Sequence, residues 1–132
     1  MPRWTGLAAA AIFALVAHTA SGQDAAEQPL PYDADMQRLS EIMGALHFLQ
    51  QLCEGVGASP WRDEMTALLD AEQPDPSRGA RMVDAFNRGY ESYRSVHRSC
   101  GASAQLAMQR YHDEGMRIAV DIGTRYGAPD GK

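Results

Sequence analysis

The sequence has none of the short motifs that mark the common catalytic sites. It contains no G-x-S-x-G, H-E-x-x-H, C-x-x-C or C-x-x-C-H, and no glycine-rich phosphate loop. Each of these patterns places a nucleophile, metal ligands or backbone amides in the geometry that its chemistry requires. Their absence removes the most recognisable hydrolase, metalloprotease, haem-attachment and nucleotide-binding classes.

Positive charge is scarce relative to negative charge. The chain has 12 Lys+Arg against 17 Asp+Glu, which gives a formal net charge of −5. Residues 1–22 hold one of the arginines and none of the carboxylates, so residues 23–132 carry a net charge of about −6. Binding to nucleic acid needs a clustered excess of positive charge. We therefore expect no nucleic-acid partner.

Long apolar runs are missing as well. The longest is Gly6–Ala17, whose 12 residues are too few to span a bilayer. Arg3 precedes this run, and Ala20 and Gly22 follow it at the −3 and −1 positions of a cleavage site. We predict that residues 1–22 are a signal peptide, that the protein is exported, and that it has no stable membrane insertion after cleavage. An uncleaved membrane anchor is the alternative.

The chain has no clear alternation of apolar and β-branched residues with polar ones, so no sheet is predicted. Four segments instead carry apolar residues at helical spacing. We predict a leader at 23–32, one helical domain at 33–126 and a tail at 127–132. The predicted helices run from Asp33 or Asp35 to about Cys53, after Ser59-Pro60 to about Gln73, from Asp75-Pro76 to Cys100, and from about Ala102 to Tyr126.

The broad apolar surface of the first helix predicts a central position with two neighbours. The third helix has a narrower apolar stripe, made of Met82, Phe86, Gly89, Tyr93, Val96, His97 and Cys100.

Cysteine is nearly absent, with Cys53 and Cys100 as the whole complement. In an exported chain such a pair predicts a disulfide. The closed loop of about 48 residues would stabilise the fold by roughly 4 kcal/mol in the chain-entropy model. His97 lies one turn before Cys100, a spacing that two metal ligands can use. Because an oxidised pair offers no thiolate, we predict no metal and no cofactor. The fold class is thus all-α, a small disulfide-stapled bundle of three long helices and one short one.

Three glycines lie inside predicted helices, where glycine costs roughly 0.5–1 kcal/mol relative to alanine. They are Gly44, Gly89 and Gly115. Close approach of helix backbones at a crossing explains them, and chance substitution is the alternative.

One edge of the third helix carries aromatic and guanidinium groups, which are common anchors of interfaces. Its residues are Asn87, Arg88, Tyr90, Tyr93 and Arg94, with Trp61 and Arg62 as possible neighbours. Ordinary helix packing is the alternative reading. Our leading hypothesis is a non-catalytic interaction or structural module of the cell envelope, with an envelope protein as its possible partner.

The second hypothesis is a small envelope enzyme or ligand-binding protein that uses Glu114, His97 or His112 in a groove. A polar cleft that holds at least two of these residues or Arg110, with a displaced carboxylate pKa, would favour an enzyme. A filled core with only a shallow aromatic–arginine patch would favour the module.

Several segments match a known family, and the most specific of them is Ala85–Tyr90, AFNRGY. The other matching segments are Ile42–Leu49, Leu52-Cys53, Trp61-Arg62, Met65, Cys100, Arg110-Tyr111 and Glu114-Gly115.

On these segments, which cover roughly residues 36–126, the sequence resembles an uncharacterised alphaproteobacterial family of small exported proteins with two well-separated cysteines, catalogued as a domain of unknown function. The resemblance implies a bacterial envelope protein, which export would place in the periplasm, with a Cys53–Cys100 disulfide. It implies no activity.

Overall fold

The computed structural model describes residues 28–127, and this part of the chain contains four α-helices and no strand. The helices are α1, Asp33–Glu54; α2, Trp61–Glu72; α3, Pro76–Arg94; and α4, Ala102–Tyr126. The predicted all-α fold with three long helices and one short helix is confirmed. The predicted signal peptide lies outside the described residues. Between residues 28 and 127, no helix is both long and apolar enough to cross a membrane.

The start of α3 follows directly from its sequence. The Asp75 side chain accepts hydrogen bonds from the backbone amides of Ser77 and Arg78, at 2.9 and 3.0 Å. Pro76 occupies the first helical position, where its missing amide costs nothing. The predicted start of the helix at Asp75-Pro76 is therefore confirmed.

The predicted continuation of the third helix to Cys100 is wrong. The helix ends at Arg94, and the Tyr93 carbonyl accepts hydrogen bonds from the amides of both Val96 and His97. Val96, which the stripe placed in the core, is 72% exposed. The chain leaves the helix here because it must carry Cys100 across to the end of α1, where its disulfide partner lies.

Helix α1 is the centre of the fold and packs against each of the other three helices. Its predicted central position is confirmed by the burial of Ile42 and Leu49, both 0% exposed. The main hydrophobic cluster is rich in methionine, a flexible side chain that fills irregular space. Its members are Met36, Met43, Met65, Met82 and Phe86.

Two of the predicted mid-helix glycines mark a backbone-to-backbone crossing of α1 and α3. A Cβ on Gly44 would overlap the carbonyl oxygen of Phe86, and one on Gly89 would overlap the carbonyl oxygen of Glu41. Gly115 of α4 is less constrained, since its added Cβ would lie 3.2 Å from the Ile42 side chain. Close helix approach is therefore the reason for these glycines.

The predicted disulfide is confirmed. Cys53 and Cys100 are bonded, with their Cα atoms 4.9 Å apart. The bond joins the last turn of α1 to the loop that precedes α4. It therefore fixes where α4 begins.

Helix α4 is only lightly packed for its length. Of its 25 residues, Ala104 and Gly115 alone are buried, while Met116 is 53% and Val120 is 61% exposed. Contacts with α1 hold the helix in place. Both flanks of α4 remain open, and a cavity lies on each side of it.

Candidate functional site

The first cavity, here named the polar cleft, lies between the end of α3 and the first half of α4 and measures about 380 Å³. It brings together His97, Arg110 and Glu114, three of the four groups expected of an enzyme-like groove. His112 lies on the other side of α4, in the second cavity. The remaining lining residues are Tyr93, Ser103, Leu106, Ala107 and Tyr111.

Glu114 is committed to an ion pair across the bundle. Arg38 of α1 donates two hydrogen bonds to its carboxylate, from Nε at 2.8 Å and from Nη2 at 3.1 Å. These hydrogen bonds outweigh the effect of burial and lower the pKa of Glu114. They also raise the pKa of Arg38. A general acid needs a raised pKa, so the shift of Glu114 has the wrong sign for that role.

The aromatic groups of the polar cleft are also engaged with one another. Tyr93 donates a hydrogen bond of 2.5 Å to the Tyr111 hydroxyl, and its ring stacks on His97 with centroids 5.7 Å apart. Burial and the tyrosine–tyrosine hydrogen bond raise the pKa of Tyr93, which keeps its hydroxyl neutral. Arg38 lies 5.4 Å from the centre of the Tyr111 ring. The cluster ties α1, α3 and α4 together.

The second cavity, here named the apolar crevice, lies between α2 and α4 and has α1 as its floor. It measures about 260 Å³. The floor residues are buried beneath the crevice, with Ile42, Met43 and Leu46 at 0%, 5% and 2% exposed. The whole lining consists of Leu39, Ile42, Met43, Leu46, Trp61, Glu64, Ala67, Leu68, His112, Gly115, Met116 and Ala119.

Trp61 is held in a fixed position at one end of the apolar crevice. Its indole Nε1 donates a hydrogen bond of 2.9 Å to Gln50 of α1. Its ring meets the edge of His112 on the opposite wall, with centroids 6.3 Å apart. Glu64 follows one turn later on α2 and also lines the crevice. This end therefore combines an aromatic face with a carboxylate.

A further cavity of about 260 Å³ extends the apolar crevice toward the start of α1. The two cavities share the lining residues Leu39, Leu68 and Ala119, so they adjoin each other along α1, and together they are here named the trough. The far end is bounded by Tyr32 and Tyr126, whose rings lie 5.1 Å apart.

The aromatic members of the predicted interaction edge face different neighbours. Tyr90 packs inward on His47 and Phe48, with ring centroids 5.7 and 5.5 Å away. Tyr93 belongs to the polar cleft, and Trp61 belongs to the apolar crevice. The three rings thus lie in three different environments.

The polar members of that edge are exposed. Asn87, Arg88 and Arg94 lie on the outer face of α3, and Arg62 is exposed on α2. Arg94 forms an ion pair of 2.9 Å with Glu91. The exposed part of the predicted interaction edge therefore consists of polar and charged residues and includes none of its three aromatic rings.

Sequence reasoning missed a buried histidine beside a serine. His47 is 5% exposed, and its Nδ1 lies 2.9 Å from Ser59 Oγ. The Gln51 amide donates to His47 Nε2 at 3.3 Å, so Nδ1 carries the proton and donates to Ser59. Burial and the nearby charge of Arg62 lower the pKa of His47. The imidazole anchors the α1–α2 loop and does not accept the serine proton.

A second missed feature is a buried ion network at the other end of the bundle. Arg78 of α3 donates to Asp33 of α1 at 2.5 Å and to Glu72 of α2 at 2.9 Å. Burial opposes the charged guanidinium, but the two carboxylates outweigh it and raise the pKa of Arg78. The network joins three helices. No local pattern could have found it, because Asp33 and Arg78 are 45 residues apart.

The fold and the cavities define a class of protein: a small, disulfide-linked helical bundle with a cavity on each side of its last helix. The chain belongs to DUF2385, a family of proteins of unknown function whose model matches residues 31–126. The matched segment includes all four helices and both cysteines. The comparisons found no match among curated proteins and none among solved structures.

Proposed function

We propose that this protein is an exported, non-catalytic binding module of the bacterial cell envelope, and that the apolar crevice is its binding surface. The observation that carries the proposal is the apolar crevice itself, a concave opening between α2 and α4 above buried apolar residues of α1. Ligand sites are concave and mostly apolar, with a few fixed polar groups. Trp61, held by Gln50, and Glu64 supply such groups.

The polar cleft meets the expectation stated for an enzyme, since it gathers His97, Arg110 and Glu114 and the pKa of Glu114 is displaced. The state of these groups nevertheless favours a binding role over catalysis. Its carboxylate is neutralised by Arg38, and its two tyrosines are hydrogen-bonded to each other. These contacts stabilise the position of α4. In this proposal the polar cleft is a structural clamp, and it leaves the crevice on the opposite flank of α4 free for a ligand.

Export is supported by two features of the chain. The apolar run Gly6–Ala17 has the length and flanks of a signal peptide. The Cys53–Cys100 disulfide is of a kind that persists in oxidising compartments such as the periplasm. Fractionation of bacteria that express the full chain should recover it in the periplasm, with an N-terminus at Gln23. Recovery in the cytoplasm with residues 1–22 intact would contradict this part of the proposal.

Binding at the crevice is tested by a substitution that fills the crevice with a larger side chain. Ala119 is exposed and lines the trough, so Ala119→Phe should block a fluorescent apolar probe while leaving the melting temperature nearly unchanged. Ala80→Phe is the matched control, because Ala80 is exposed on α3 away from the crevice. Equal probe binding by both variants and by the unmodified chain would contradict the proposal.

An envelope enzyme that acts in the polar cleft is the second candidate, because the cleft does gather His97, Arg110 and Glu114. Arg110 has no partner in residues 28–127 and is exposed at the cleft. This candidate predicts hydrolysis of an envelope glycan that is lost in Glu114→Gln. Absence of hydrolysis in the unmodified chain, together with probe binding at the crevice, would favour the binding module.

A further inference from the structure

We infer that the apolar crevice binds a cationic amphiphile, with its single hydrocarbon chain in the trough and its positive end beside Glu64 and Trp61. The inference rests on the proposed binding function and names the chemical class of the ligand. Three observations carry it: the length of the trough, its narrowness, and the position of its one carboxylate.

The trough is long enough for an extended hydrocarbon chain. Its lining runs along α1 from Tyr32 to Leu46, which at 1.5 Å per residue is roughly 20 Å. The two joined cavities, each about 260 Å³, together fall within the ~300–1,000 Å³ of small-molecule sites. A linear chain fills such a shape better than a compact ring system.

The trough is too narrow for a protein helix. An α-helix with its side chains is about 10–12 Å across. Two cavities of about 260 Å³ each, spread over the length of the trough, leave a cross-section much smaller than that.

An extended peptide is disfavoured for a different reason. Its backbone amides and carbonyls need hydrogen-bond partners, which sheet edges supply and helix walls do not. The crevice is lined by residues of α1, α2 and α4 only. A hydrocarbon chain needs no such partners.

The charge of the crevice selects a cation. Glu64 is the one carboxylate in the lining of the cavity next to Trp61, and its side chain has no ion pair or hydrogen bond within residues 28–127. Trp61 lies one turn before it on the same helix, and indole faces attract ammonium groups. The lining of the crevice includes no lysine or arginine, and Nδ1 of His112, on the opposite wall, lies 3.9 Å from the Asp113 carboxylate.

The far end of the trough has no carboxylate without a partner, which sets the direction of the ligand. Glu72 lines that end, but it is hydrogen-bonded to Arg78 at 2.9 Å, and Arg78 also binds Asp33, which does not line the trough. Tyr32 and Tyr126 offer mainly ring surface there. The positive group therefore lies at the Glu64 end, and the tail points toward the two tyrosines.

The full chain carrying Trp4→Phe tests the inference directly, because Trp61 is then its only tryptophan. Its fluorescence is followed during titration, below the critical micelle concentrations, with dodecyltrimethylammonium, dodecyl maltoside and dodecyl sulfate. We expect saturable binding of the cationic probe at least tenfold tighter than that of the anionic one. Hexyltrimethylammonium should bind at least tenfold more weakly than the dodecyl compound, because most of the trough stays empty.

Two variants distinguish the effect of the Glu64 charge from binding of the hydrocarbon chain. Glu64→Gln should remove most of the preference for the cationic probe while keeping dodecyl maltoside binding. Asp63→Asn makes the same charge change at the neighbouring exposed residue, which does not line the crevice, and should keep the preference. Equal binding of all three probes, unchanged in Glu64→Gln, would overturn the cationic assignment and leave the binding function standing.

Two further results would overturn the inference. The first would also overturn the proposed binding function, and the second would change the class of ligand. If no dodecyl probe changes the Trp61 fluorescence and Ala119→Phe behaves like the parent chain, both the inference and the proposed function fail. Saturable binding of a basic amphipathic peptide, with no binding of the dodecyl probes, would replace the amphiphile by a protein partner.

Discussion

Gly89 of α3 lies directly against the backbone carbonyl oxygen of Glu41 in α1, so that a Cβ at position 89 would overlap this oxygen. Gly44 of α1 has the reciprocal relationship with the Phe86 carbonyl. The two helices therefore touch backbone to backbone at two points. This crossing fixes how α1 is oriented, and α1 supplies the floor of the apolar crevice.

The crossing predicts that alanine destabilises at position 89. In an open helix, replacing glycine by alanine gains roughly 0.5–1 kcal/mol. In Gly89→Ala the helices must separate, and overpacking of this kind costs about 1–3 kcal/mol. Gly123→Ala is the control, because a Cβ there meets nothing within 4 Å. Urea unfolding should show a loss for the first variant and a gain for the second, and a gain for both would refute the crossing.

The disulfide predicts a large stability difference between oxidised and reduced protein. Replacing both Cys53 and Cys100 by alanine should lower the free energy of unfolding by about 2–5 kcal/mol, since the unfolded chain loses its cross-link. Denaturant titration measures this difference. Mass spectrometry without reductant should find the unmodified chain lighter by two hydrogen atoms than its reduced form. An unchanged mass on reduction would show that the bond does not form.

The buried network at Arg78 predicts a strong effect of a single substitution. Arg78→Met removes the partner of Asp33 and Glu72, and breaking a buried pair from one side costs about 3–5 kcal/mol. Arg94→Met is the matched control, because its ion pair with Glu91 is solvent-exposed and contributes about 0–1 kcal/mol. Thermal unfolding of the two variants compares them. Similar decreases in the melting temperature of the two variants would mean that burial of the Arg78 network contributes little to stability.

His47 predicts that stability falls when the pH drops below about 6.5, the usual pKa of histidine in an unfolded chain. Burial lowers the pKa of His47 in the folded protein, so the unfolded chain binds the proton first. The stability is complete above pH 6.5 and is lost as the pH falls toward the folded-state pKa. The melting temperature should therefore drop between pH 7.5 and 5.5. His47→Gln should show a smaller drop, and an equal drop would assign the effect to other groups.

The charged outer surface of α3 tests the protein-partner hypothesis. If an envelope protein binds there, Arg88→Glu should abolish its recovery from periplasmic extract without changing the melting temperature, because Arg88 is exposed and has no partner within residues 28–127. Arg98→Glu, an equal charge change in the loop after α3, should preserve recovery. Tyr90→Ala is unsuitable, since Tyr90 packs on His47 and Phe48. Recovery of the same partner by Arg88→Glu would show that this surface does not bind it.

Much of the fold followed from local patterns in the sequence. Apolar spacing predicted four helices, and Ser59-Pro60 and Asp75-Pro76 predicted where the second and third helices begin. The count of cysteines predicted the disulfide. Polar and aromatic groups of the candidate sites were harder to place. Tyr90 and Tyr93 are three residues apart on one helix, yet one faces α1 and the other faces α4.

The sequence by itself determined the helices and the glycine crossings, because these depend on residue types at short spacing. It also determined the cross-link, because each cysteine has only the other to pair with. Tertiary structure alone decided that α3 ends at Arg94, that Arg38 neutralises Glu114 from 76 residues away, and that α4 is open on both flanks. These features depend on the angles and distances at which helices pack. Periodicity along a single helix does not specify them.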